Sequence, residues 1–106
     1  DLVDRATGAW ILVLIAIVVV GAPIVEELVY RGLLQRSLGA RLGRWVAWVL
    51  VSAWFALIHF APVEYPGLFV AGLLFGLGVV LTGRIGFGLA AHLGFNAAGV
   101  AVVLWW

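Results

Sequence analysis

Two adjacent carboxylates and an arginine interrupt a long apolar run, Pro23-Ile24-Val25-Glu26-Glu27-Leu28-Val29-Tyr30-Arg31-Gly32. On an α-helix, Glu27 and Arg31 are i and i+4, in the order that favours an ion pair. Glu26 lies about 100° around the same helix and stacks over Tyr30, so both carboxylates cannot serve one guanidinium. A pair that neutralises itself and holds helices together accounts for Glu27 with Arg31. It does not account for Glu26, because a second carboxylate beside a satisfied pair adds desolvation cost without structural return. A carboxylate so placed can take a proton from water, which is general-base chemistry.

Two other segments carry groups that could join it. His59 ends the run Trp54-Phe55-Ala56-Leu57-Ile58-His59, and a lone histidine on an apolar helix is more often a packing residue than a catalyst. His92 and Asn96 shift that balance, since i and i+4 put an imidazole and an amide on one helix face. A carboxylate, two imidazoles and an amide from three helices form the kind of convergent polar cluster from which active sites are built. Competing hydrolytic chemistries fall away. Ser37 and Ser52 are the only serines, and Ser52 precedes His59 by seven residues, about 10 Å along a helix and out of hydrogen-bond reach. There is no cysteine, no aspartate beyond Asp4 and no HExxH, so thiolate, aspartyl-dyad and helical zinc-protease motifs are missing. What remains is water activated by a carboxylate, with imidazoles and an amide to orient it and stabilise the oxyanion. Glu26, His59 and His92 could also ligate zinc and leave a fourth place for water. A metal-free glutamate mechanism uses the same residues, and the sequence does not choose between them.

The elements that must position these groups are membrane helices. Of 106 residues, 66% are hydrophobic, 10% are charged and 14 are glycine, and mean hydropathy is +1.24. Such a chain has too little polar surface to cover itself in water. Four apolar segments, at residues 9–38, 45–60, 67–82 and 87–105, read as helices of one polytopic, all-α transmembrane bundle spanning 1–106 as a single domain. The first is too long for a plain span, about 45 Å of helix against a ~30 Å hydrocarbon core, and Pro23 after Gly21-Ala22 predicts a kink within it. Gly72 and Gly76 form a GxxxG pair, and Ala90, Gly94 and Ala98 repeat at four, both patterns that let helix backbones approach closely. A removable signal peptide is not expected, because the first apolar run follows Asp1, Asp4 and Arg5 and leads straight into the charged motif. The arginines are scattered, which excludes a nucleic-acid surface.

Threading the four segments back and forth places Arg36, Arg41, Arg44 and Arg84 on one side and Asp1, Asp4, Arg5 and Glu64 on the other. The positive-inside rule then puts loops 39–44 and 83–86 in the cytoplasm and both termini outside. Trp10, Trp45, Trp48, Trp105 and Trp106 fall near predicted helix ends, as aromatic belts require.

Three motifs occur in order: Glu26-Glu27-Leu28-Val29-Tyr30-Arg31 as EExxxR, Phe55-Ala56-Leu57-Ile58-His59 as FxxxH and His92-Leu93-Gly94-Phe95-Asn96 as HxxxN. Together they resemble the CPBP family, the CAAX-protease and bacteriocin-processing group of intramembrane proteases. The resemblance runs from about Gly21 to the C-terminus. It implies an intramembrane endopeptidase, often described as a metalloprotease, in which Glu26 is the base, Glu27 and Arg31 support it, and His59, His92 and Asn96 complete the site. It further implies prenylated CAAX-type or leader-peptide substrates and a bacterial inner membrane. Members of the family often carry eight helices, where four are visible here.

The rival class is a non-catalytic membrane module, either a bis-histidine haem carrier or an immunity-type binding protein. Counted from the cytoplasmic ends of two parallel helices, His59 stands about 21 Å up and His92 about 9 Å, a mismatch one iron could not bridge. The same mismatch requires the fourth helix to start deeper if the two histidines are to share a site. The arginine distribution predicts that tags in the 39–44 loop and at the C-terminus report opposite sides of the membrane in an accessibility assay. Finding both on one side overturns this topology.

Overall fold

The computed structural model describes the backbone of residues 2–105 and the side chains of residues 7–105. The side chains of Asp1, Asp4, Arg5 and Trp106, used in the topology argument, lie outside these described residues. From Leu2 to Leu42 the chain is one helical rod in five pieces: α1 (Leu2–Ala16), a π-helical turn (Ile17–Gly21), α2 (Ala22–Glu27), a second π-helical stretch (Leu28–Gln35) and α3 (Arg36–Leu42). The break expected at Pro23 takes the form of the first π-turn. Within it the N–H of Ala22 reaches back five residues to the carbonyl of Ile17. The next donor in that ladder would be Pro23, which has no N–H, so the wider turn makes room for its ring. The helical stretch Thr7–Leu42 has 36 residues, about 54 Å of rise, nearly the 57 Å length of the whole molecule.

A reversal at Gly43, with φ of 90°, leads into α4 (Arg44–Leu57), and a short 3-10 turn (Pro62–Glu64) into α5 (Tyr65–Thr82). Gly83, at φ 73°, caps α5 by donating its N–H to the carbonyl of Val79, the left-handed ending that glycine adopts without penalty. The chain then turns into α6 (Gly86–Trp105). Arg36 donates to the carbonyl of Gly83, which ties the C-terminal end of the rod to the α5–α6 turn and places both arginine-bearing turns at one end of the bundle.

Three helices, Thr7–Leu42, Pro62–Thr82 and Gly86–Trp105, are long and apolar enough to cross a membrane. The protein is an integral membrane helical bundle. The second helix is shorter than the sequence suggested. α4 has 14 residues, about 21 Å, and stops at Leu57 because the N–H groups of His59 and Phe60 bond carbonyls only three residues back while Phe60 takes a φ of 51°. This short helix is sheltered. Its inward residues Ala47, Val51, Ser52, Phe55 and Ala56 are buried, and Trp48, expected at the membrane interface, is half-buried and donates its indole N–H to the carbonyl of Leu73 at 2.8 Å. An indole donor turned inward needs such an acceptor.

Close approach is set by glycine at a few points. A Cβ on Gly72 would come within 3.1 Å of the Ser52 backbone, and one on Gly76 within 2.7 Å of the Gln35 amide oxygen, so the GxxxG expectation holds for α5. On α6 the contact point lies elsewhere. Gly94 has nothing within 4 Å and Ala90 and Ala98 are exposed, so that line faces away from the bundle. Gly88 instead sits against the carbonyl of Phe75, where a Cβ would come to 2.0 Å. Phe75 is seven residues before the end of α5, so α6 begins well inside the bundle, the direction that the depth mismatch between His59 and His92 calls for.

Gly88→Ala should therefore lower the thermal midpoint in detergent, by a destabilisation of about 1–3 kcal/mol or more, as overpacking does. Gly94→Ala should leave it unchanged. Equal midpoints for the two variants would refute the packing described for α6.

Candidate active site

His92 is 2% exposed, and both of its ring nitrogens face carboxylates. Nδ1 lies 2.7 Å from Oε1 of Glu27 and Nε2 lies 3.2 Å from Oε2 of Glu26. The two glutamates can do this because they are neighbours on a helix whose following stretch is π-helical, and α6 comes close enough because residue 88 has no side chain. The shorter contact requires a proton between Nδ1 and Glu27, which fixes the ring so that Nε2 addresses Glu26. Phe75 stacks flat on the imidazole, with centroids 4.4 Å apart and planes at 10°, and Phe55 meets it edge-on at 5.8 Å. The ring has no freedom to turn.

Glu27 and Arg31 are both fully buried. Nε of Arg31 is 3.5 Å from Oε2 of Glu27, Nη2 donates to the carbonyl of Gly72 at 2.8 Å, and the guanidinium carbon lies 5.4 Å from the centroid of Phe55 and 5.9 Å from that of Phe75. Nε and Nη1 have no hydrogen-bond partner among the described residues, and the neighbouring ring faces offset this as cation–π contacts do. One turn further on, Gln35 donates to the carbonyl of Gly76 at 3.1 Å. Glu27, Arg31 and Gln35 thus descend one face at spacings of four and grip α5 at two carbonyls also four apart. Phe75 lies between those two carbonyls in sequence. The grip fixes the height at which it meets His92.

Glu26 differs from Glu27 in access. Its side chain is 33% exposed whereas that of Glu27 is 0%, so of the two carboxylates only Glu26 is open to an incoming molecule. Asn96 is half-buried and donates to the carbonyl of Val18 at 2.9 Å. That carbonyl is the one that faces Pro23 in the five-residue ladder, so the Asn96 amide supplies the donor that proline lacks. Its second N–H remains. Beside it, between α1 and α6, opens an apolar groove of about 520 Å³ lined by Ile11, Leu14, Val18, Phe95 and Val103.

His59 stands apart from this network. It is exposed, in the turn after α4, with Nδ1 against the carbonyl of Phe55 and its ring edge-on to Phe55 at 4.8 Å. Phe55 therefore touches both histidines, and the structure brings them to one aromatic ring without bringing them to each other. Among the described residues no three histidine, cysteine or acidic side chains are gathered as a metal site. Of the proposed zinc ligands, Glu26 and His92 lie 3.2 Å apart, and His59 is engaged with its own helix end. With both nitrogens of His92 facing carboxylates, the ring also offers no free axial ligand to haem.

The Type II CAAX prenyl endopeptidase Rce1-like family matches residues 8–98. The chain belongs to this Rce1-like family. No curated protein and no solved structure matches it. Membership makes the protein an intramembrane peptidase by family, with a membrane around it and peptides as its class of substrate. For an Rce1-like chain, Glu26, Glu27, Arg31 and His92 form one contiguous polar cluster, Asn96 lies one helical turn from His92, and His59 reaches the cluster through Phe55. Sequence reasoning missed Gln35, Phe75 and Gly88. Gln35 carried a signal, a polar residue at i+4 from Arg31 in an apolar run. Phe75 and Gly88 carried none, being ordinary members of apolar helices.

Glu27→Gln should lower the unfolding midpoint and the activity together, because it leaves a buried guanidinium without its counter-charge, a loss of about 3–5 kcal/mol. Stability at the parent level with turnover abolished would instead give Glu27 a direct chemical role.

Proposed function

We propose that the chain hydrolyses a peptide bond in lipid-modified, CAAX-type substrates within a bacterial inner membrane, with loops 39–44 and 83–86 in the cytoplasm and both termini outside. The observation that carries this reading is the pairing of Glu26 with His92. An accessible carboxylate sits beside an imidazole whose orientation is fixed by a second, buried carboxylate. Glu26 takes a proton from water as its oxygen attacks the scissile carbonyl, and the proton passes to the departing amine as the C–N bond breaks. The free N–H of Asn96 and the exposed ring of His59 are the groups assigned to the developing oxyanion and to the substrate backbone. The apolar groove beside Asn96 suits an alkyl chain entering from the bilayer, which favours a prenylated peptide over an unmodified leader peptide. Zinc is left out of this mechanism because its three candidate ligands are not gathered.

Glu26→Gln keeps the shape of the side chain and removes its basicity. The purified variant should keep an intact thermal transition and lose cleavage of a prenylated C-terminal peptide by a factor on the order of a hundred or more. The parent should cleave the prenylated peptide faster than its unprenylated twin. Activity that tracks bound zinc and vanishes on chelation would replace the metal-free mechanism. Comparable turnover in parent and Glu26→Gln would sink the role given to Glu26 and favour a non-catalytic binding module.

A further inference from the structure

A second groove lies between residues 34–38 of the rod and α4. It has a volume of about 350 Å³ and is lined by Leu34, Leu38, Leu50, Val51 and Trp54. Its walls lead to two arginines. Leu34, Leu38 and Arg41 follow at spacings of four and three on one helix, and Trp54, Val51, Ala47 and Arg44 at three, four and three on the other, so each arginine continues the face that lines the groove. Arg41 and Arg44 flank the Gly43 reversal, and the two helices are close there, since a Cβ on Gly39 would touch both Ala47 and Arg44 at 3.8 Å. Both arginines are exposed. Neither forms an ion pair among the described residues, and the Arg44 guanidinium rests over the Trp45 ring at 5.1 Å. The chain's acidic residues, Asp1, Asp4, Glu26, Glu27 and Glu64, all lie away from this turn in sequence.

We infer that this face is a binding site for an anionic phospholipid, with the phosphate between Arg41 and Arg44 and one acyl chain in the groove. The apolar part begins about one turn below Arg41 and about two turns below Arg44, the order in which a lipid presents a charged headgroup and then its chains. Every apolar groove on a membrane protein meets acyl chains. What selects this occupant is the pair of unpaired positive charges at the groove's mouth, which attract an anionic headgroup over a zwitterionic one. The site is separate from Glu26 and His92 and does not depend on the proposed chemistry.

The full chain is to be purified and exposed to equimolar phosphatidylglycerol and phosphatidylcholine of matched chains, with retained lipid read by native mass spectrometry. Phosphatidylglycerol should be retained in preference by about tenfold or more, the scale expected of two basic side chains near an anionic headgroup. Arg41→Gln with Arg44→Gln should abolish the preference, whereas Arg84→Gln, at the same end but off the groove, should keep it. Leu50→Trp, which fills the groove from an exposed position, should reduce retention with both arginines in place, and carries the test alone if the double variant does not fold. Equal retention of the two lipids, a preference that survives loss of both arginines, unchanged retention in Leu50→Trp, or stabilisation by inorganic phosphate equal to that by the lipid would each overturn the inference.

Discussion

A carboxylate with no exposure at all, in a protein surrounded by hydrocarbon, must be neutralised by its neighbours, and Glu27 dictates much of the arrangement around it. One oxygen takes His92 from α6 and the other faces Arg31 from its own helix. Arg31 in turn must place its remaining donors, and it does so on the carbonyl of Gly72 and the faces of Phe55 and Phe75. Three helices are thereby referred to one buried charge. Burying an ion pair gives little net stability on its own, since desolvation consumes the Coulombic gain. What it supplies here is register: the heights of α5 and α6 relative to the rod follow from where their polar groups must meet Glu27 and Arg31. Glu26 is relieved of that structural duty, and a carboxylate without one can be left partly open for chemistry.

The two π-helical stretches belong to the same logic. Pro23 cannot donate a hydrogen bond, and in a bilayer no water is at hand to satisfy the carbonyl it deserts. The first π-turn widens the helix around the proline ring, and Asn96 crosses from α6 to bond the carbonyl of Val18. A residue picked out for possible chemistry is thus also a brace between the rod and α6. The second stretch begins directly after Glu27 and contains Arg31 and Gln35, both of which reach α5. Wide turns at functional sites are a recurrent pattern, and here they coincide with the residues that carry the polar network.

Much of the site was legible because polar groups in an apolar chain are few and costly. The EExxxR spacing alone separates Glu27 from Glu26, and the i, i+4 placement of His92 and Asn96 puts both on the face that meets the rod. Position along the membrane normal was less legible. Counting residues from helix ends placed His59 and His92 at different depths, and only the contact of Gly88 with the Phe75 carbonyl sets α6 deeper. That is a steric fact about two backbones and leaves no trace in hydropathy. The setting of His59 was illegible for a local reason: helix periodicity continues through it, but the hydrogen bonds of α4 shift to three-residue spacing at His59 and leave it exposed. The stripe of Ala90, Gly94 and Ala98 shows the same limit, since small residues permit close approach without saying which face is approached.

Among the described residues the N-terminal half of the rod is little buried, and its large apolar side chains, among them Trp10, Leu12 and Leu14, are exposed. In water this surface would be a liability; in a bilayer it costs nothing, because lipid tails are as apolar as leucine. The consequence is a lateral opening. α1 meets its neighbour α6 along a groove instead of a packed seam, and the groove's polar feature is Asn96, one helical turn from His92. A molecule whose apolar part lies in the bilayer could enter along that groove without leaving hydrocarbon, and would bring any peptide attached to it toward the half-open carboxylate of Glu26. An enzyme acting on soluble peptides would need a water-facing cleft here. The one the structure supplies is lined largely by leucine, isoleucine and valine, the lining that the proposed lipid-modified substrate would meet.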